Sequence, residues 1–157
     1  MICPEFSAPT FFIIAEGVPA LLYYSHITSI VVSLLVGTLV FVKKSTDLSA
    51  RILFLLSISF SLWTFINLIT WTNINSHLIM FVWSFFGILY TLICLFTLYF
   101  VYTFVYKKDL SPILKSTLLL LWLPVLLFAP TSMHIDVFQL TYCGVNDEGF
   151  LYTSYYY

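Results

Sequence analysis

The side chains able to do chemistry are few and widely spaced: Cys3, Cys94 and Cys143, and His26, His77 and His134. A redox dithiol needs a close pair such as CxxC. None occurs, which argues against a disulfide-forming or quinone-linked oxidoreductase. Cys3 and Cys143 fall in segments read below as outside the cell, where a disulfide is permitted, but one distant pair has no spacing signature. Structural and catalytic metals use ligands at short, recurring spacings. His26, His77, His134, Asp136 and Cys143 show no such spacing, so neither a metal nor a cofactor is expected. The chain also lacks a glycine-rich phosphate loop and a nucleophile elbow. Nothing here assembles a reaction, and a membrane enzyme ranks last among the readings.

A different polar group stands out. His26, Asn67, Thr70, Trp71, Asn73, Asn75 and His77, with Trp83 close by, fall toward one end of the long apolar runs. Polar groups in lipid are costly unless they face each other or line a cavity. Two readings follow: hydrogen bonding between helices, or a small-molecule pocket open to the outside with His26, Asn67, Trp71 and Trp83 as its ligand-binding residues.

The charges define the frame that holds these residues. Lys43, Lys44 and Arg51 flank one break in the apolar pattern, and Lys107, Lys108 and Lys115 flank another. Between Arg51 and Lys107 there is no Asp, Glu, Lys or Arg. A charge at the bilayer centre costs ~2.5–3.5 kcal/mol even on the insertion scale, so such a run suits lipid. Only 8% of the residues are charged and 61% are hydrophobic, against about 25% charged in soluble domains. Loops rich in Lys and Arg stay cytoplasmic, so both basic loops are read as inside and the N-terminus as outside. The segments read as outside hold Glu5, Glu16, Asp136, Asp147 and Glu148, with no base. Six bases on two short loops make no continuous track for nucleic acid. Span interiors without Lys exclude a retinal Schiff base, and spans without acids leave no proton relay.

The runs give an all-α, polytopic membrane bundle of four transmembrane helices at 20–42, 52–71, 78–106 and 112–129. The first, second and fourth are near the roughly 20 residues that cross a ~30 Å hydrocarbon core, and the third is long enough to tilt or to project beyond the membrane. Residues 1–19 form an extracytoplasmic segment, 20–130 the transmembrane region, and 131–157 a second extracytoplasmic segment. Asp47 or Thr46 is expected to cap the second helix, and Ser111 with Pro112 to open the fourth. Pro124 should bend that helix and Pro130 end it. Small residues repeat at Ser25, Ser29, Ser33 and Gly37 on the first helix, answered by Ser57 and Ser61 on the second and by Gly87 with Thr91 on the third. Such spacing lets backbones approach closely, either within one chain or across a homodimer seam.

Several stretches resemble a known family. Arg51 to Leu56, with Ser61 to Trp63, looks like helix 2 of the seven-helix N-terminal sensor region of bacterial and archaeal histidine kinases. Phe81 to Gly87 resembles the start of that family's third helix, and Thr97 to Lys108 its end. Leu123 to His134, with Pro124 and Pro130, is similar to the fourth helix and its outer end. Gly149 and Phe150, with the tyrosines after them, resemble the approach to a fifth. The resemblance implies a sensory input region of a two-component signal-transduction protein in the plasma membrane. It would respond to a small-molecule or membrane cue by displacing helices. This chain departs from the family in having four spans rather than seven, and no kinase domain. It therefore reads as a fragment cut near a fifth helix. The alternative is a stand-alone four-helix membrane protein, an assembly or transport subunit. In either case the lipid bilayer is the first partner.

Overall fold

The computed structural model describes residues 18–73, 76–129, 131, 135–139, 144–148 and 154. Four helices account for most of them: α1 (Ala20–Lys43), α2 (Leu48–Thr72), α3 (Ser76–Tyr106) and α4 (Pro112–Phe128). From Ala20 to Phe128 the described residues form an all-α helix bundle, as the long apolar runs require. Three helices are long and apolar enough to cross a membrane: Ala20–Lys43, Leu48–Thr72 and Phe81–Tyr106. The fourth has 17 residues, about 26 Å at 1.5 Å each, at the short end of the spanning range.

Local chemistry sets the boundaries. The Asp47 side chain accepts a hydrogen bond from the Ser49 N–H at 3.0 Å and caps α2. The helix therefore starts at Leu48, a turn earlier than the apolar pattern suggests. Arg51 lies inside α2, and its Nε donates to the Ser45 carbonyl at 2.7 Å. Polar Arg51 hid that first turn from a hydropathy reading. Ser111 accepts from the Leu114 N–H at 3.3 Å, with Pro112 in the first turn of α4. Pro124 lies within α4, which closes on the Ala129 N–H bonded to the Val125 carbonyl at 3.0 Å. Pro130 is outside the described residues.

The helices pack in sequence order. Helix α2 is central, with α1 on one flank and α3 on another, and α4 rests more lightly on α3. The buried positions of α2 are unusual for a core: Ser49, Ser57, Ser59, Ser61, Thr64 and Thr72 alternate with Ala50, Ile52, Leu68 and Ile69. Most of these hydroxyls bond to their own helix four residues back, as Ser57 does to Leu53 (2.9 Å) and Thr64 to Phe60 (2.9 Å). With its proton satisfied locally, each acts as a small spacer that admits a neighbouring backbone. Large apolar side chains point outward instead, among them Leu21 at 77% and Ile113 at 81% exposed. That inversion of the soluble pattern suits a bundle solvated by lipid.

After α4 comes an antiparallel ribbon of β1 (Ile135–Gln139) and β2 (Gly144–Glu148), pairing Ile135 with Glu148 and Gln139 with Gly144. Sequence reading anticipated no strands at 131–157. A short hairpin with register shifts has too little alternation to show as a period-two pattern.

Candidate functional site

Two of the four proposed ligand-binding residues meet. Asn67 Nδ2 lies 3.2 Å from His26 Nε2, bridging α1 and α2. On the other side of the ring, Nδ1 is 2.9 Å from the Leu22 carbonyl and 3.1 Å from Ser25 Oγ. A carbonyl only accepts, so Nδ1 carries the proton and Nε2 accepts from the Asn67 amide. Both residues are half-buried.

The other two are elsewhere. Trp71, one turn beyond Asn67 on α2, is 65% exposed. An indole at a helix end belongs with the interfacial aromatic belt. Trp83 stacks on Phe86 (centroids 5.3 Å apart), and Phe86 in turn meets Trp63 at 5.3 Å. This places Trp83 in an aromatic cluster between α2 and α3. Sequence reading missed Trp63, whose buried indole N–H has no hydrogen-bond partner. Thr70 bonds back to the Asn67 carbonyl at 2.7 Å, and Asn73 to the Ile69 carbonyl at 2.9 Å. Cys3, Asn75, His134 and Cys143 lie outside the described residues, as do the side chains of His77 and Asp136. Cys94 is exposed on α3. Among the described residues, no group of three His, Cys, Asp or Glu side chains is placed to hold a metal ion.

The small-residue stripe divides. Gly37 is the one buried residue of α1, and a Cβ built there would sit 2.6 Å from both Cβ and Oγ of Ser57. Ser33 Oγ donates across to the Ser57 carbonyl at 3.4 Å. Ser61 approaches the Ile30 carbonyl at 3.5 Å, but its proton goes to the Ser57 carbonyl at 2.7 Å. Phe41 stacks on Phe54 one turn further on, with centroids 4.8 Å apart. Ser25 and Ser29 do not join this seam. Both are exposed, and their hydroxyls bond within α1, to Leu22 (2.9 Å) and Ser25 (2.7 Å). A four-residue repeat drifts around a 3.6-residue helix, so the two ends of the stripe cannot share one face. Gly87 is buried in α3, its carbonyl accepting from Thr91 at 2.8 Å.

A second polar group closes the opposite end of the bundle. Asp109 accepts from the Tyr99 hydroxyl (2.5 Å) and from Lys115 Nζ (2.6 Å), tying the end of α3 to the start of α4. Asp109 is the one acid in its basic loop, a signal that sequence reading passed over. The Lys115 hydrogen bond, followed by that of Tyr99, holds the Asp109 carboxyl below its ordinary value of 3.8. A depressed carboxylate contributes stability above its unfolded pKa and loses it as pH falls through the folded one. The expected result is a wild-type thermal midpoint that drops relative to Asp109→Asn only below pH 3.8. Parallel curves from neutral to acid pH would show that the corner adds nothing. Comparison with family models, with curated proteins and with solved structures finds no match.

Proposed function

We propose that this chain is a membrane-embedded sensory input region of a signal-transduction protein, of the kind that governs a sensor histidine kinase. In this reading it sits in the plasma membrane with its N-terminus outside and its basic loops in the cytoplasm. The observation that supports it is the uneven α1–α2 pair. Toward the basic loops, the helices are locked by Gly37 against Ser57 and by stacked Phe41 and Phe54. Toward the other end, they are bridged by the His26–Asn67 bond, a contact that a cue bearing donors or acceptors can replace. A ligand that favours the open clasp shifts α1 relative to α2 and so biases a two-state bundle. Inter-helix hydrogen bonds in membranes contribute ~0.6 kcal/mol on average and up to ~1.7. That is roughly a 3- to 20-fold bias, at 1.4 kcal/mol per tenfold. The light packing of α4 on α3 also favours a second reading, a subunit that completes its packing against other membrane proteins.

The test uses membranes from cells expressing the complete native gene product. ATP-dependent phosphorylation is compared among wild type, His26→Leu and Asn67→Leu. The sensor reading expects both variants to shift phosphorylation severalfold while the amount of protein in the membrane holds. Unchanged phosphorylation would return the clasp to plain packing. No phosphorylation, together with a stoichiometric membrane partner on purification, would establish the subunit reading.

A further inference from the structure

Between the start of α2 and the end of α3 lies a half-open cleft of about 180 Å³, walled by Asp47, Ser49, Thr103, Lys107, Lys108 and Asp109. Its floor is hydroxylic, because Ser49 and Thr103 are buried, Thr103 at 2% exposure. Its acids are already engaged. Asp47 accepts the Ser49 N–H, and Asp109 holds Tyr99 and Lys115. Among the described residues, neither of its lysines pairs with a carboxylate. Lys107 Nζ lies 4.4 Å from the centroid of the Phe104 ring, a contact that attracts a cation without neutralising it. Phe104 is 55% exposed on the apolar flank of α3, so this ammonium stands where that flank ends.

Lys107 also has a φ of 53°, the left-handed conformation in which helices often terminate. That turn follows the bond from the Lys107 N–H to the Thr103 carbonyl at 3.0 Å. It carries the chain off the helix axis at the cleft. The cleft joins the ends of two helices of membrane-crossing length, and so lies at the depth of lipid headgroups. The chain's six Lys and Arg residues all flank this end, against only Asp47 and Asp109, which makes the local field positive. Basic pockets between transmembrane helices hold anionic headgroups by these means.

We propose that this cleft binds the phosphate of a phospholipid headgroup. Lys107 and Lys108 contact the phosphate oxygens, and the acyl chains run down past Phe104. The site is independent of the sensory reading and of any cue at His26 and Asn67.

The purified full chain in detergent is titrated with short-chain phosphatidylglycerol, with a phosphate-free glycolipid and with inorganic phosphate. Lys107→Ala/Lys108→Ala is compared with Lys43→Ala/Lys44→Ala, which removes the same charge outside the cleft. We expect saturable phosphatidylglycerol binding that falls about tenfold or more in the 107/108 variant and holds in the 43/44 variant. Lys107→Arg/Lys108→Arg should retain it, which separates loss of the site from loss of the fold. Equal losses in both alanine variants would reduce the effect to general surface charge and overturn the site. Equal binding of the glycolipid would overturn the phosphate assignment. Inorganic phosphate binding without phospholipid binding would overturn the lipid.

Discussion

Replacing Gly37 with Leu should be the most damaging single change in the described bundle. A Cβ alone would sit 2.6 Å from Cβ and Oγ of Ser57, with the Phe54 backbone behind it at 3.6 Å. Neither a backbone nor a short side chain can swing away, so α1 must lift off α2. Overpacking of this kind costs roughly 1–3 kcal/mol for a modest excess, and a whole isobutyl group exceeds that range. The lift also opens the Phe41–Phe54 stack. Leu35→Phe is the control on the same helix, since Leu35 is 56% exposed and its ring would extend into lipid. Unfolding in detergent should show a lower midpoint for Gly37→Leu and little change for Leu35→Phe. Ser57→Gly removes both atoms that the new Cβ meets, so Gly37→Ala should be better tolerated in that background than alone. Additive effects in that double-mutant cycle, or equal tolerance of Leu and Phe, would refute the close approach.

This contact shows how far the sequence carries and where it stops. Four-residue spacing of small groups singles out Gly37, because close helix approach needs a missing side chain and little else satisfies it. The same spacing over-reached to Ser25 and Ser29, since it cannot register the drift of a four-residue repeat on a 3.6-residue helix. Helix existence was legible throughout, because lipid demands length and apolarity, and both are compositional. Helix ends were less so. Arg51 broke the apolar run although Asp47 had already capped the helix. At the clasp, His26 and Asn67 were visible as polar residues placed at one depth. Their pairing depends on the rotation of two helices, which neither residue reveals by itself. Trp71 lies one turn beyond Asn67 on α2 and is exposed. The Tyr99–Asp109–Lys115 corner needed the turn at Lys107, and its left-handed φ has no marker such as glycine in the sequence.

Topology carries the other large effect, because its readout is all or none. A cytoplasm-active reporter fused after Lys44 or Lys108 should be bright, and one fused after Asn73 or Tyr157 dark. The first three expectations follow from the two basic loops and from three helices of spanning length. The fourth rests on α4, which has only 17 residues. Lys115 turns toward Asp109 at the loop, which leaves Ser116 to Ala129 as the uncharged stretch. An alternative is a helix lying along the membrane surface, which would need a polar face opposite its apolar one. Instead Leu119, Leu120 and Leu121 are successive and exposed, as are Leu126, Leu127 and Phe128. Three consecutive residues cover most of a helical turn, so both stretches are apolar nearly all the way round. Burying only one side in a bilayer would leave the other leucines in water. A crossing α4 covers them all, at the cost of a slight thinning of the bilayer around a helix of about 26 Å. A bright signal after Tyr157, with the other three fusions as expected, would mean that α4 does not cross. The chain's final segment would then lie on the same side as its basic loops.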